Sequence, residues 1–323
     1  MKNQKILILG NGFDLSLGLK TTYSQFAISN YWPNINSHAL SPLALKIEEE
    51  KNKNLDWFNL EDSLYDYARD REIDEHLAIE RLFGSPELDE HYLNDLSVGL
   101  TEFIKQEQNK ELNPNSHAAM LLKAVTINND FTKIYSFNYT DIRLLAKRLG
   151  INIRDSVECI NIHGRVDKDN IVLGVSSSSK LMDGYDSFKK TNNLHYEDSD
   201  LLSSLIDSNE VIVFGHSFGS QDYAYFKDYI SLLSNPDFCH SHKMTVITKD
   251  DQSLNSIKRH IEKQGMITDL TPLLNYGSFR TIKTSKCTDD EYNYFVNTVA
   301  NSGVTGEYHI SFIQNNCVKT HKN

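Results

Sequence analysis

The sequence lacks the features that would place it in several large classes. No run approaches the roughly 20 apolar residues of a membrane-spanning helix. Met1-Lys2-Asn3-Gln4 leads straight into a short apolar run, so the longer apolar core and small-residue cleavage site of a secretory signal are missing. Cysteine is scarce: Cys159, Cys239, Cys287 and Cys317 form no C-x-x-C pair, which argues against a structural zinc ribbon. Positive charge is in deficit, with 33 Lys and Arg against 44 Asp and Glu, a formal net charge of −11. That balance argues against a broad duplex-binding surface, though not against a local cationic pocket, because phosphate binding needs clustered Lys and Arg. No internal repeat is present, and low complexity is confined to Ser176–Ser179. These absences predict a soluble cytoplasmic protein with free thiols, no membrane contact and no metal.

What is present is an α/β pattern over 323 residues, enough for one large domain or two smaller ones. Lys5-Ile6-Leu7-Ile8-Leu9 is a continuous apolar run of the kind found in a strand buried on both faces. A helix is expected from Phe13 to about Asn30, broken near Gly18 and Thr21-Thr22. Further strands are expected at 131–137, 157–162, 170–175, 210–214, 244–248 and 279–282. Helices are expected at 142–149, 221–233, 252–264 and 289–299. Residues 177–200 are polar and read as a long loop or lid, and the end of the chain, 315–323, as frayed. Between about 40 and 128, apolar residues recur at helical spacing among many charges, with prolines near the breaks. The expected organisation is a Rossmann-like parallel sheet domain, residues 1–36 and 129–323, with an inserted helical subdomain at 37–128. The dense Asp and Glu of that block read as a solvated face.

Polar loops follow four of the expected strands, which is where an α/β sheet carries its chemistry. Gly10-Asn11-Gly12-Phe13-Asp14-Leu15 could hold a pyrophosphate on helix-start N–H groups, but it lacks the full G-x-G-x-x-G fingerprint and equally fits a tight turn. Asp14 would repel a phosphate unless it caps the loop or holds a ribose hydroxyl. In Ser136-Phe137-Asn138-Tyr139-Thr140-Asp141, the Asn138 amide can orient a ribose hydroxyl or a water. The plain alternative is that Asn138 or Thr140 caps the next helix. His163-Gly164 offers an imidazole as a general base and a glycine that lets a ligand approach; the alternative is a structural histidine. Gly215-His216-Ser217-Phe218-Gly219 has the G-x-S-x-G form of a nucleophile elbow. Its downstream partners are poor: Asp250 ends a strand, while His260 falls inside a helix and His309 inside a strand-like run. Cys239-His240-Ser241-His242 has no second ligand pair at useful spacing and reads as a solvated loop.

Taken in order, the four loops, with Gly215 continuing through Ser220-Gln221-Asp222, resemble the AbiH family of bacterial abortive-infection proteins. Gly18-Leu19-Lys20-Thr21-Thr22-Tyr23-Ser24-Gln25-Phe26 and Trp57-Phe58-Asn59-Leu60-Glu61 resemble its N-terminal pattern, and the resemblance spans about residues 5 to 230. The loop order is more distantly similar to the sirtuin fold and to sirtuin-like NAD-cleaving domains of phage defence. That resemblance implies an NAD+ hydrolase that cleaves the nicotinamide–ribose bond, with Asn138 and His163 catalytic. It implies nucleotide contacts from Gly10, Asn11, Gly12, Asp14, Asp141, Gly164, Gly215, His216 and Ser217. NAD would be substrate or ligand, and the helical block would serve self-assembly into a homo-oligomer or sensing of a phage partner. The first loop departs from the sirtuin Gly-Ala-Gly-Ile-Ser type, the Gln-Asn-x-Asp element is reduced, and zinc-binding cysteine pairs are missing, all of which speak against deacylation. Two other readings stay open: a non-catalytic nucleotide-binding sensor with a partner-binding helical block, and a serine hydrolase using Ser217.

Overall fold

The structure, a computed structural model, describes residues 4–69, 86–264 and 279–301. Strands β1 (Lys5–Leu9), β2 (Phe131–Ser136), β3 (Glu158–Asn161), β4 (Glu210–Phe214), β5 (Lys243–Thr248) and β6 (Phe279–Lys283) form one sheet. Its order is 3-2-1-4-5-6 and every pairing is parallel. This is the doubly wound α/β order, with its reversal beside β1. The expected Rossmann-like sheet is therefore present.

The burial of the central strands on both faces follows from the sequence pattern. Side chains alternate across a strand, so an unbroken apolar run needs cover on both faces. In β1, Leu7 and Leu9 enter one core and Ile6 and Ile8 the other. In β4, Ile212 and Phe214 join the first, Val211 and Val213 the second. Each such fully buried side chain contributes about 1.5–3 kcal/mol.

The helices are α1 (Asn11–Ser16), α2 (Tyr23–Ala27), α3 (Pro42–Lys53), α4 (Leu60–Ala68), α5 (Pro86–Glu107), α6 (His117–Ile127) and α7 (Ile142–Arg148). They continue with α8 (Leu201–Asp207), α9 (Lys227–Leu233), α10 (Pro236–Cys239), α11 (Asp251–Gln264) and α12 (Asp289–Ala300). Helix starts follow local chemistry. Ser41 caps α3 by accepting from Ala44 N–H, with Pro42 in the first turn. Asn59 caps α4, and Thr288 with Glu291 forms a capping box on α12. The cap of α7 is Asp141, which accepts from Arg143 N–H, rather than Asn138 or Thr140.

A third core joins α2 to α5 with the chain that follows β3. Phe26, Leu43, Leu64, Leu96 and Phe103 pack there with Val166, Leu173 and Phe188. Helix α6 belongs instead to the sheet layer, where Tyr292 of α12 donates to the His117 carbonyl at 2.8 Å.

Three local expectations are corrected. Residues 170–175 are not a sheet strand; they make only an isolated bridge, Val175 to Lys189. They are apolar because Ile171, Leu173 and Val175 face the third core. The segment 221–233 is not one helix but a 3-10 turn at Tyr223–Tyr225 followed by α9, which leaves Gln221 and Asp222 outside it. The polar stretch 177–200 is partly core, since Tyr185, Phe188 and Lys190 are buried. Cys317, His309 and the end at 315–323 lie outside the described residues. Among the described residues, no helix is long and apolar enough to cross a membrane.

Candidate functional site

Two turns meet at the reversal of strand order. Gly10 and Gly12 leave β1, and Gly215 leaves β4 with φ at 66°. The backbones touch: a Cβ on Gly12 would lie 2.6 Å from Gly215 Cα, and one on Gly10 2.5 Å from His216 Cα. Gly12 N–H donates to the Gly215 carbonyl at 2.9 Å, and Gly10 N–H to Phe214 at 3.0 Å. These glycines are required by chain-to-chain contact, and both amides are already used within the protein.

Beside them lies a cavity of about 350 Å³. Its walls come from the loops after β1 to β4, through Gly10, Asp14, Asn138, His163 and Ser217, and from the helical block, through Glu61 and Asp62. Asp14 is 1% exposed. It accepts from Asn138 Nδ2 at 2.9 Å and from Thr140 Oγ1 at 3.0 Å. Burial raises its pKa to about 7 against the pull of those two donors. Asn138 Nδ2 also donates to the Gly10 carbonyl at 3.1 Å. The side-chain oxygen of Asn138 remains to accept from a water or a hydroxyl.

Deeper in the wall sits a charge cluster. His163 Nε2 lies 2.8 Å from Asp222 Oδ1 and 3.3 Å from Lys190 Nζ. Lys190 Nζ lies 3.1 Å from both Glu61 and Asp222. The carboxylate acceptor places the imidazole proton on Nε2, so Nδ1 carries the lone pair. That Nδ1 is buried and has no hydrogen-bond partner. Burial lowers the His163 pKa, aided by Lys190, and keeps the ring neutral. Burial acts to raise Asp222, but Lys190 and His163 override it and hold the carboxyl well below its usual range. For Lys190, burial acts to lower the pKa, yet Asp222 and Glu61 raise it above the ordinary value. Burial raises Glu61 to about 7 despite Lys190.

The other expected site residues divide. Asn11, Gly215 and His216 also border the cavity. Ser217 is on its exposed rim. His216 accepts Phe218 N–H at 3.0 Å through Nδ1 and sits 3.7 Å from Asp222 through Nε2. Gly12, Asp141 and Gly164 are not among the lining residues. Asp141 caps α7 and pairs with Arg165 at 3.4 Å. Gly164, at φ 75°, lets the Asn170 carbonyl pass 1.9 Å from where a Cβ would be.

The structure does not assemble the triad for Ser217 among the described residues. His260 Nδ1 meets the Ser217 backbone carbonyl at 3.0 Å, and Asp250 is held by Ser253. His242 stacks on Phe238 at 3.6 Å between centroids. No group of three or more His, Cys, Asp or Glu able to hold a metal occurs among the described residues.

Three site residues escaped the sequence reading. Glu61 lay in a block read as a solvated acidic face; it is buried, as are Asp89 and Glu107. Asp222 ends the loop after β4, in which the sequence singles out only Gly215, His216 and Ser217. Lys190 sat in the polar stretch 177–200. A lysine among apolar-spaced aromatics, Tyr185 and Phe188, was the only cue.

A family model described as "Bacteriophage abortive infection AbiH" matches residues 6–239. The chain belongs to the AbiH family. That family is one of antiphage abortive infection. No protein of curated function matches the chain. A solved structure described as "Structural Basis for the Mechanism and Regulation of Sir2 Enzymes" is similar over 93% of this chain and 92% of its own. The identity is 11% and the TM-score 0.35.

Proposed function

We propose that this AbiH protein hydrolyses NAD+ at the nicotinamide–ribose bond. The observation that carries the reading is the convergence of four strand-end loops on one cavity containing a neutral, carboxylate-oriented His163 and the Asn138–Asp14 pair. Ligands bind at such a strand-order reversal in open α/β sheets. In the proposed step, the C1′–N bond breaks and its electron pair goes to the pyridinium nitrogen, releasing neutral nicotinamide. Water adds to C1′. Asn138 orients that water or the ribose hydroxyls through its side-chain oxygen, and the His163 imidazole assists removal of the proton. Asp222 fixes the histidine tautomer. Asn11 and Ser217 are the rim groups left for the diphosphate. Loss of the dinucleotide would then arrest an infected cell, which fits the antiphage family.

The test is to incubate purified protein with NAD+ and measure free nicotinamide, alongside Asn138→Ala and His163→Ala. Wild type is expected to release nicotinamide, with each variant slower by about 10²-fold or more. Equal release by all three overturns the assignment. A nucleotide that raises the melting temperature yet stays intact would favour the sensor reading.

A further inference from the structure

The cavity wall is rich in one charge and empty of the other. Asp14, Glu61, Asp62 and Asp222 line it, and no Lys or Arg does among the described residues. Lys190 stands behind the wall and is engaged by Glu61 and Asp222. Asp14 and Asp62 have no ion-pair partner among the described residues; Asp62 instead accepts from Asn59 at 2.7 Å and Ser220 at 2.6 Å. A buried polar atom without a protein partner sits in the same wall. His163 lines the cavity, is 3% exposed, and keeps Nδ1 without a partner. The glycine amides that might have held a phosphate are used between the turns. At about 350 Å³ the space is near the small end of ligand pockets, which suits one nucleoside better than a dinucleotide.

We infer that this cavity selects a positively charged N-ribosyl heterocycle and binds it without needing the diphosphate, with Asp14 and Asp62 as the specificity-determining carboxylates. This rests on the proposed function for the identity of the ribosyl group, but not on catalysis. Phosphates in the cavity would meet carboxyl groups and no Lys or Arg among the described residues; a pyridinium would be drawn in. A cation beside Asp14 also offsets the cost of burying its ionised form.

The experiment compares calorimetric binding of nicotinamide riboside, its uncharged dihydro form and ADP-ribose to the full chain. Nicotinamide riboside is expected to bind on the order of tenfold or more tighter than the dihydro form, with ADP-ribose weakest. Asp14→Asn and Asp62→Asn each should shrink the oxidised-to-reduced ratio; Asp62→Asn serves if Asp14→Asn does not fold. Equal affinity for the two ribosides, tightest binding by ADP-ribose, or no riboside binding overturns the inference. NAD+ cleavage without riboside preference would sink this inference and leave the proposed function standing. Riboside preference without NAD+ cleavage would do the reverse.

Discussion

Two buried carboxylates, Asp89 and Asp14, show how differently the same group is used. Asp89, on α5, is 0% exposed and accepts from four donors: Ser41 Oγ, Leu43 N–H, Tyr67 OH and Tyr185 OH. It ties α3, α4 and the chain after β3 together. Asp14 is as deeply buried but has donors only from Asn138 and Thr140, and it borders a cavity. A carboxylate surrounded by donors is a staple. One left short of donors beside a cavity is poised for charge that arrives from outside.

Removing the staple should have the largest effect. Asp89→Ala leaves four donors unmatched and is expected to cost about 3–5 kcal/mol of stability by urea unfolding. A loss below about 1 kcal/mol would erase the contrast. Next comes the cluster behind the cavity. Lys190→Met leaves Glu61 and Asp222 facing each other without their cation, at a cost of about 3 kcal/mol. Adding Glu61→Gln should recover at least about 1 kcal/mol of that loss; strict additivity would show that the three groups do not act together.

Asp14 should behave in the opposite sense. Its folded pKa, near 7, lies above the ordinary 3.8. The unfolded chain therefore releases the proton first. The resulting stability is full below the unfolded pKa and is lost as pH rises through about 7. Asp14→Asn removes this penalty and should stabilise the fold by about 2 kcal/mol at pH 8. Melting curves should show that gain shrinking as pH falls toward 4. A gain independent of pH would mean that Asp14 does not titrate as described.

The parts legible in the sequence were those governed by short-range rules. The apolar runs of β1 and β4 revealed a sheet covered on both faces, and the loops after β1 to β4 were visible as breaks in those runs. Asn138 and His163 could be singled out because a strand end fixes where its next residues point. The charge cluster was not legible. Glu61, Lys190 and Asp222 are brought together by the third core, and nothing local distinguishes a buried Glu on a helix from a solvated one. Residues 170–175 have a strand's composition, but their apolar side chains cover the helical block instead of extending the sheet. The loop glycines were recognised, yet their reason was not: the sequence left a phosphate loop and a plain tight turn equally open, whereas Gly12 and Gly215 make room for each other.

That abutment of bare main chain has an evolutionary corollary. With Gly12 and Gly215 pressed together and Gly10 against His216, even a methyl group at any of the three glycines would wedge the first and fourth strand ends apart. Descendants of this protein can remodel the cavity's outer wall, its charge and its rim, but the meeting point of the two strands leaves them no latitude to drift.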